Sequence, residues 1–144
     1  METETVGRVV VEARVENLGD LYEVEKGRLS VDQVRSHTIP DALVDTGATI
    51  LSLPKGLIEK LGLRRVASRR VRSSTGLAEV GLFQAVRLTI QGRDCTMDVL
   101  EVPDGCPTLI GQLPLEHLDF VVDMRNHTLI GNPAHGGEHT YELY

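Results

Sequence analysis

From Val9 to Val15 apolar and polar residues alternate imperfectly. A Leu18-Gly19-Asp20 turn signal follows and Leu21 to Val24 begins a return, so the pattern predicts an N-terminal hairpin over residues 8–26. Residues 29–38 are mixed and polar, and the short apolar run Ala42-Leu43-Val44 then reaches Asp45. Further along, Val71–Ser74, Ala78–Phe83, Val86–Ile90 and Cys95–Val102 read as strands. The turn signals Thr75-Gly76, Gln91-Gly92 and Pro103-Asp104-Gly105 punctuate them. Short strands at this spacing predict an all-β domain that folds back on itself.

Only two stretches read as helical. Pro54–Leu61 has Pro near its start, Leu57, Ile58 and Leu61 on one face, and Gly62 just past its end. Leu115–Leu118, after Pro114, is a second and very short one. Together they expose a weak internal repeat: Leu43-Val44-Asp45-Thr46-Gly47 followed by Leu53-Pro54, and Leu109-Ile110-Gly111 followed by Leu113-Pro114. The halves would be related by an approximate two-fold, with an Asp in only one of them.

Composition narrows the picture. A chain of 144 residues, 41% apolar and 25% charged, suits one domain with a real core. No apolar run approaches the roughly 18 residues of a membrane span. The start, METETVGR, lacks a basic segment followed by a long apolar one, which leads to the expectation of a cytoplasmic protein. Cys95 and Cys106 are spaced for neither a redox pair nor a zinc site and read as free thiols. A net charge of −6, with 3 Tyr, 2 Phe and no Trp, argues against a nucleic-acid partner. One basic cluster, Arg64-Arg65, Arg69-Arg70 and Arg72, runs the other way; it reads as a solvated strand edge or a contact for an acidic partner rather than a phosphate track.

The candidate chemistry lies at Asp45. Burying an ionised carboxylate costs on the order of several kcal/mol unless it is paired, hydrogen-bonded or neutralised, and nothing adjacent to Asp45 is cationic. In Asp45-Thr46-Gly47 the carboxylate can accept from the following backbone N–H groups, while Gly permits a tight turn and the close approach of another chain. By itself that is an Asx-turn at a strand end, or a catalytic turn.

The surroundings add to this. Leu43-Val44-Asp45-Thr46-Gly47-Ala48, with Leu109-Ile110-Gly111 further on, resembles the retropepsin-like aspartic proteases, the family of the retroviral enzymes and their bacterial relatives. The resemblance spans Ile39 to Asp123. It implies an acid-protease fold, a closed β-barrel with one or two short helices. The whole chain, 1–144, would be one domain with its core over 39–131 and a polar tail over 132–144. It also implies that Asp45, Thr46 and Gly47 form the catalytic turn, and that a hairpin over Arg70–Leu82, with its tip near Ser74-Thr75-Gly76, forms a flap. The strand Leu109, Ile110 and Gly111 would pass beneath the turn. A second Leu-Ile-Gly, at 129–131, competes for that role, but the earlier copy is preferred because a short helix can follow it at Pro114–Leu118.

Hydrolysis of this type needs two carboxyl groups around one water, one ionised and one protonated. The sequence has one such Asp, so the resemblance implies a homodimer with an Asp45 from each chain at the symmetry axis. Thr46 would brace the paired loops. The Gly47 carbonyl, Ala48, Thr49 and the flap residues Ser74, Thr75, Gly76 and Leu77 would hold an extended peptide or protein substrate, without metal or cofactor. Thr49 departs from the retroviral Asp at that place and matches bacterial and retrotransposon-derived members, so substrate preference does not carry over.

Two other strings carry residues of catalytic type. His135-Gly136-Gly137-Glu138-His139 matches a zinc-peptidase pattern that needs a rigid helix, and its paired glycines after Asn132-Pro133 oppose one; a mobile polar tail is expected. Asp123, after Phe120-Val121-Val122, lacks the Thr-Gly of Asp45 and is expected to bond to the Arg125 or Asn126 backbone in a turn. The functional expectation is an aspartic endopeptidase; the rival is a non-catalytic dimer binding peptides or proteins on the same fold.

Overall fold

The computed structural model describes residues 8–143. Nine strands and three short α-helices are present among them. In chain order they are β1 (Val9–Asn17), α1 (Leu18–Glu25), β2 (Ser36–Val44), β3 (Leu51–Pro54), α2 (Lys55–Lys60) and β4 (Arg65–Ser73). Then follow β5 (Gly76–Ile90), β6 (Arg93–Val102), β7 (Leu109–Ile110), α3 (Gln112–His117), β8 (Phe120–Asp123) and β9 (Thr128–Gly131). The protein is therefore all-β with minor helix, as expected.

Seven strands form one sheet in the order β1-β2-β7-β3-β6-β5-β4, and β1 also pairs with β5, so the first six close into a ring. A bulge between Val11 and Ala13 accompanies the double pairing of β1, with β2 along its length and with β5 over Arg14–Asn17. The ring is filled by alternate residues of its strands: Ala13, Val15, Leu51, Leu53, Val86, Leu88, Ile90, Val99 and Ile110 are essentially inaccessible to solvent. Ile58 and Leu61 from the α2 end, and Leu115, Leu118 and Phe120 from the α3 end, join the same core.

The N-terminal hairpin is not there. Leu18-Gly19-Asp20 is the first turn of α1, and the partners of β1 are β2 and β5. The reason is Asn17. Its side-chain oxygen accepts from Asp20 N–H at 3.0 Å, capping the helix, and its Nδ2 donates to the Leu61 carbonyl at 2.8 Å. Buried Asp20 then takes Arg35 bidentately, at 2.9 Å from both Nε and Nη2, and accepts the Arg35 backbone N–H as well. The Arg35 guanidinium holds the Asp20 carboxyl below its ordinary pKa.

Two expected strands, Ala78–Phe83 and Val86–Ile90, are one. A bulge between Phe83 and Val86 shifts the phase of the alternation, so Phe83 and then Val86, Leu88 and Ile90 all face the core while β5 continues to pair with β6. Strand β4 starts at Arg65, ahead of the expected Val71, because an exposed edge strand carries no apolar signal in its charged half.

The chain past Gly131 is docked, where a mobile tail was expected. Asp119, with a side chain only 7% exposed, collects His135 Nδ1 at 2.8 Å, Asn132 Nδ2 at 3.2 Å and the Thr140 N–H at 3.1 Å. The Arg93 guanidinium lies over the Phe120 ring and donates to the carbonyls of Leu118, Asp119 and Gly137. A buried carboxylate needs donors, and the polar tail supplies them. His135 lies in a 3-10 turn (Pro133–His135) ended by Gly136 at φ 68°, and its Nε2 meets Glu142. The ring of His139 meets the His117 carbonyl instead, so the two imidazoles of the zinc-like string have separate partners.

No helix among the described residues is long and apolar enough to cross a membrane.

Candidate active site

Strand β2 delivers Asp45 one residue past its end. The short strand β7 runs parallel to it, Leu43 opposite Leu109 and Val44 opposite Ile110. The Asp45 N–H donates to the Ile110 carbonyl and the Leu43 N–H to the Thr108 carbonyl, each at 2.9 Å. The expected supporting strand is thus Leu109–Gly111; the later Leu-Ile-Gly, 129–131, pairs with β8 in a separate two-stranded sheet.

The loop itself is held at both ends. The Ala48 N–H closes a turn on the Asp45 carbonyl at 3.0 Å. On the far side the N–H groups of Gly111, Gln112 and Leu113 donate to the carbonyls of Ile50, Ala48 and Thr49, each at 2.9 Å. Those donors are the amides around the start of α3, which have no partner inside their own helix. The loop carbonyls and the helix start therefore satisfy each other. Gly111 is buried because the loop lies on it: a Cβ there would sit 2.7 Å from the Ala48 oxygen, and the Ile50 oxygen is closer still.

The Asp45 carboxylate is half-buried. Its Oδ1 accepts the Gly47 N–H at 3.0 Å, the local Asx-turn that the residue types predict. Among the described residues Oδ2 has no hydrogen bond and no cation lies within ion-pair distance. Thr46, Gly47 and Thr49 are exposed and Ala48 is half-buried.

Around Asp45 lies an open groove of ≈ 380 Å³, lined by Arg8, Val9, Leu43, Val44, Asp45, Thr46, Val122 and Met124. Val122 and Met124, from the β8 end, were not singled out in the sequence. A methionine 62% exposed beside a carboxylate is the one signal they give, and it is a structural one. Asp123, between them, makes the expected turn: it accepts from Arg125 N–H at 3.0 Å and from Asn126 N–H and Nδ2, and these bonds hold its carboxyl below the ordinary value.

The expected flap is a hairpin of β4 and β5 turning at Ser74-Thr75, with Gly76 at φ 119°. The Ser73 and Thr75 hydroxyls are 3.0 Å apart across the turn. Ser74, Thr75, Gly76 and Leu77 are all exposed and none lines the groove around Asp45. Between the two features runs a continuous row. Residues paired across a sheet share a face, so Leu43, Leu109, Ser52, Leu100 and Leu82 line up from the Asp45 loop to the base of the β4–β5 hairpin. The neighbouring row, Val44, Ile110, Leu51, Val99 and Phe83, faces the core.

Neither thiol belongs to this site. Cys95 is buried, and burial, with Asp94 nearby, pushes its thiol up to about 11; Cys106 is exposed.

An all-β ring that holds an Asp-Thr-Gly loop between a parallel strand and a helix start, with the carboxylate turned to an open groove, is the arrangement expected of an aspartic protease fold. The comparison with known families agrees: the model of a family described as aspartyl protease matches residues 27–123, and the chain belongs to that family. The match takes in the Asp45 loop, the β4–β5 hairpin and β7, and leaves β1, α1, β9 and the docked tail outside. No curated protein matches the chain.

Proposed function

We propose that the protein is a homodimeric, retropepsin-like aspartic endopeptidase in which Asp45 of each subunit forms one half of the catalytic dyad. The observation that carries this reading is the state of Asp45: one Asp-Thr-Gly carboxylate per chain, on a loop braced from both ends, with Oδ2 unbonded among the described residues and an open groove before it. A single chain holds half of what the chemistry needs.

Two such carboxyls brought close cannot both ionise, a behaviour general to aspartic proteases, so one stays protonated. The ionised member takes a proton from water as the oxygen attacks the scissile carbonyl, and the protonated member donates to the carbonyl oxygen. The Gly47 N–H occupies Oδ1 and leaves Oδ2 for the water. Thr46, exposed in one chain, would brace the partner loop, and exposed Met124 with half-buried Val122 would be covered by the two-fold contact. An extended peptide would lie along the row Leu43, Leu109, Leu100 and Leu82 under the flap, held through its main chain by the Gly47 carbonyl, Ala48, Thr49 and the flap tip. The two unbridged cysteines support a reducing, cytoplasmic setting.

The Asx-turn gives the non-catalytic binding module its one supporting fact, since the carboxylate has a structural use as well. Asp45→Asn separates the two readings, because its amide oxygen can still accept from Gly47 N–H. Cleavage of a denatured protein or peptide library should vanish while the dimer persists in sedimentation. Cleavage at the wild-type rate in that variant would refute the proposal. Activity per chain should also fall on dilution as half-sites separate.

A further inference from the structure

The β4–β5 hairpin carries a charge that the endopeptidase reading does not use. Beyond Leu82, the last residue before the tip that pairs with β6, residues 76–81 of β5 pair only with β4, and the two strands project as an arm. Arg64, Arg65, Arg69, Arg70 and Arg72 are all exposed on it or at its base, in a chain of net charge −6. None of the five forms an ion pair among the described residues. Arg65 is occupied by Ser68 and the Ala67 carbonyl, and Arg69 by the Ser68 carbonyl. Arg70 and Arg72 have no side-chain hydrogen bond there at all, although Glu79 stands opposite Arg70 in the ladder.

Arg70 and Arg72 share one face of β4, about 7 Å apart at the strand rise, and Arg69 points to the other. The outer edge of β4 pairs with no further strand among the described residues. A chain laid along that edge would place its alternate side chains directly opposite Arg70 and Arg72. Guanidinium groups without a partner are matched by carboxylates, which they grip through two parallel N–H donors.

We propose that this arm selects acidic polypeptide segments: an extended stretch with carboxylates at alternate positions pairs with the edge of β4 and is read by Arg70 and Arg72, which brings the flanking peptide bond to the site. The inference rests on the endopeptidase reading for the fate of the segment, but not for its binding. The simpler use of arginines on an edge strand is to prevent edge-to-edge aggregation. That use is indifferent to the sign of the charge.

The test therefore uses the inactive Asp45→Asn protein and labelled twelve-residue peptides, one with Glu at alternate positions and one with Gln there, followed by fluorescence anisotropy. Exposed pairs are each worth up to a factor of about 5. The Glu peptide should bind about tenfold tighter than the Gln peptide, lose that margin in Arg70→Gln/Arg72→Gln, and keep it in Lys26→Gln/Arg28→Gln, which removes the same net charge elsewhere. In Arg70→Glu/Arg72→Glu the preference should invert toward a Lys peptide. Equal binding of Glu and Gln peptides, or an unchanged margin in the Arg70/Arg72 variants, would overturn the proposal. So would a single-stranded oligonucleotide of equal length that outcompetes the Glu peptide. In the active protein, KM for cleavage of acidic peptides should rise in Arg70→Gln/Arg72→Gln more than KM for the matched Gln peptides. Peptide binding without any cleavage would sink the endopeptidase reading and leave the acidic surface standing. Cleavage with no charge preference would do the reverse.

Discussion

Replacing Gly111 by Ala tests whether the junction of β7 and α3 sets the position of the Asp45 loop. The backbone there is extended, φ −86° and ψ −174°, which any residue adopts, so the change introduces no backbone strain. The whole effect is steric. An added methyl would lie 2.7 Å from the Ala48 oxygen and nearer still to that of Ile50. Both carbonyls bond to the start of α3, so relief requires the loop to move away from it. Overpacking of this kind costs about 1–3 kcal/mol, and the reduced freedom of the unfolded chain returns about 0.4–1 kcal/mol. A net loss of about 1–2 kcal/mol should lower Tm by roughly 3–8 °C for a domain of this size. Activity should fall further than stability, because both subunits of the proposed dimer would carry the change and misplacement of a reacting group by about 1 Å can cost a factor of roughly 100. Thermal melting and kcat on one cleavable peptide, measured side by side, decide the matter. A variant with wild-type Tm and wild-type kcat would show that the loop does not rest on Gly111, and the bracing argument would fail with it.

The same reasoning applies away from the site. Asn17→Ala removes the α1 cap and leaves the Leu61 carbonyl without its donor; it should destabilise by about 2–3 kcal/mol in urea melts, and a loss below about 0.5 kcal/mol would contradict the assigned role of Asn17. The tail latch predicts a pH dependence. Bonds from His135, Thr140 and Asn132 hold Asp119 below its ordinary pKa, so its contribution is present above the ordinary carboxylate range and lost as pH falls through the lowered value. The carboxylates of Asp119 and Glu142 raise His135, so its contribution is complete below the ordinary imidazole value and lost as pH rises through the raised one. The Tm difference between wild type and His135→Gln should accordingly be largest between about pH 4 and 6.5; a flat difference from pH 4 to 9 would exclude the ion pair as its source.

What could be read in the sequence and what could not follow from the range of the interactions involved. The Asp45 turn, the helix after Pro54 and the strand Leu109–Gly111 were legible because each is written in neighbouring residues: an Asx-turn, a Pro start with a Gly stop, an apolar pair before a small residue. Of the two Leu-Ile-Gly copies, the first pairs with β2 beside Asp45 and the second with β8. The helix after the first copy begins at Gln112, though, with Leu113-Pro114 inside it, so the likeness to Leu53-Pro54 is weaker in the structure than in the letters. Long-range partners were what misled. Leu18-Gly19-Asp20 reads as a hairpin turn until Asn17, held by the Leu61 carbonyl, caps it as a helix, and Gln84-Ala85 reads as a break until a bulge absorbs the extra residue. The tail looked loose because its anchor, Asp119, lies well before it in the chain, and a lone Asp after Leu118 gives no hint that it is buried. The same distinction bears on function. Local residues specify a carboxylate and the turn that holds it, but the groove takes its far wall from Val122 and Met124, and in the proposed dimer the second carboxyl comes from another chain. In the proposed arrangement the site is assembled between copies, and each sequence carries only the part that its own copy contributes, here the Asp45 loop and its supports.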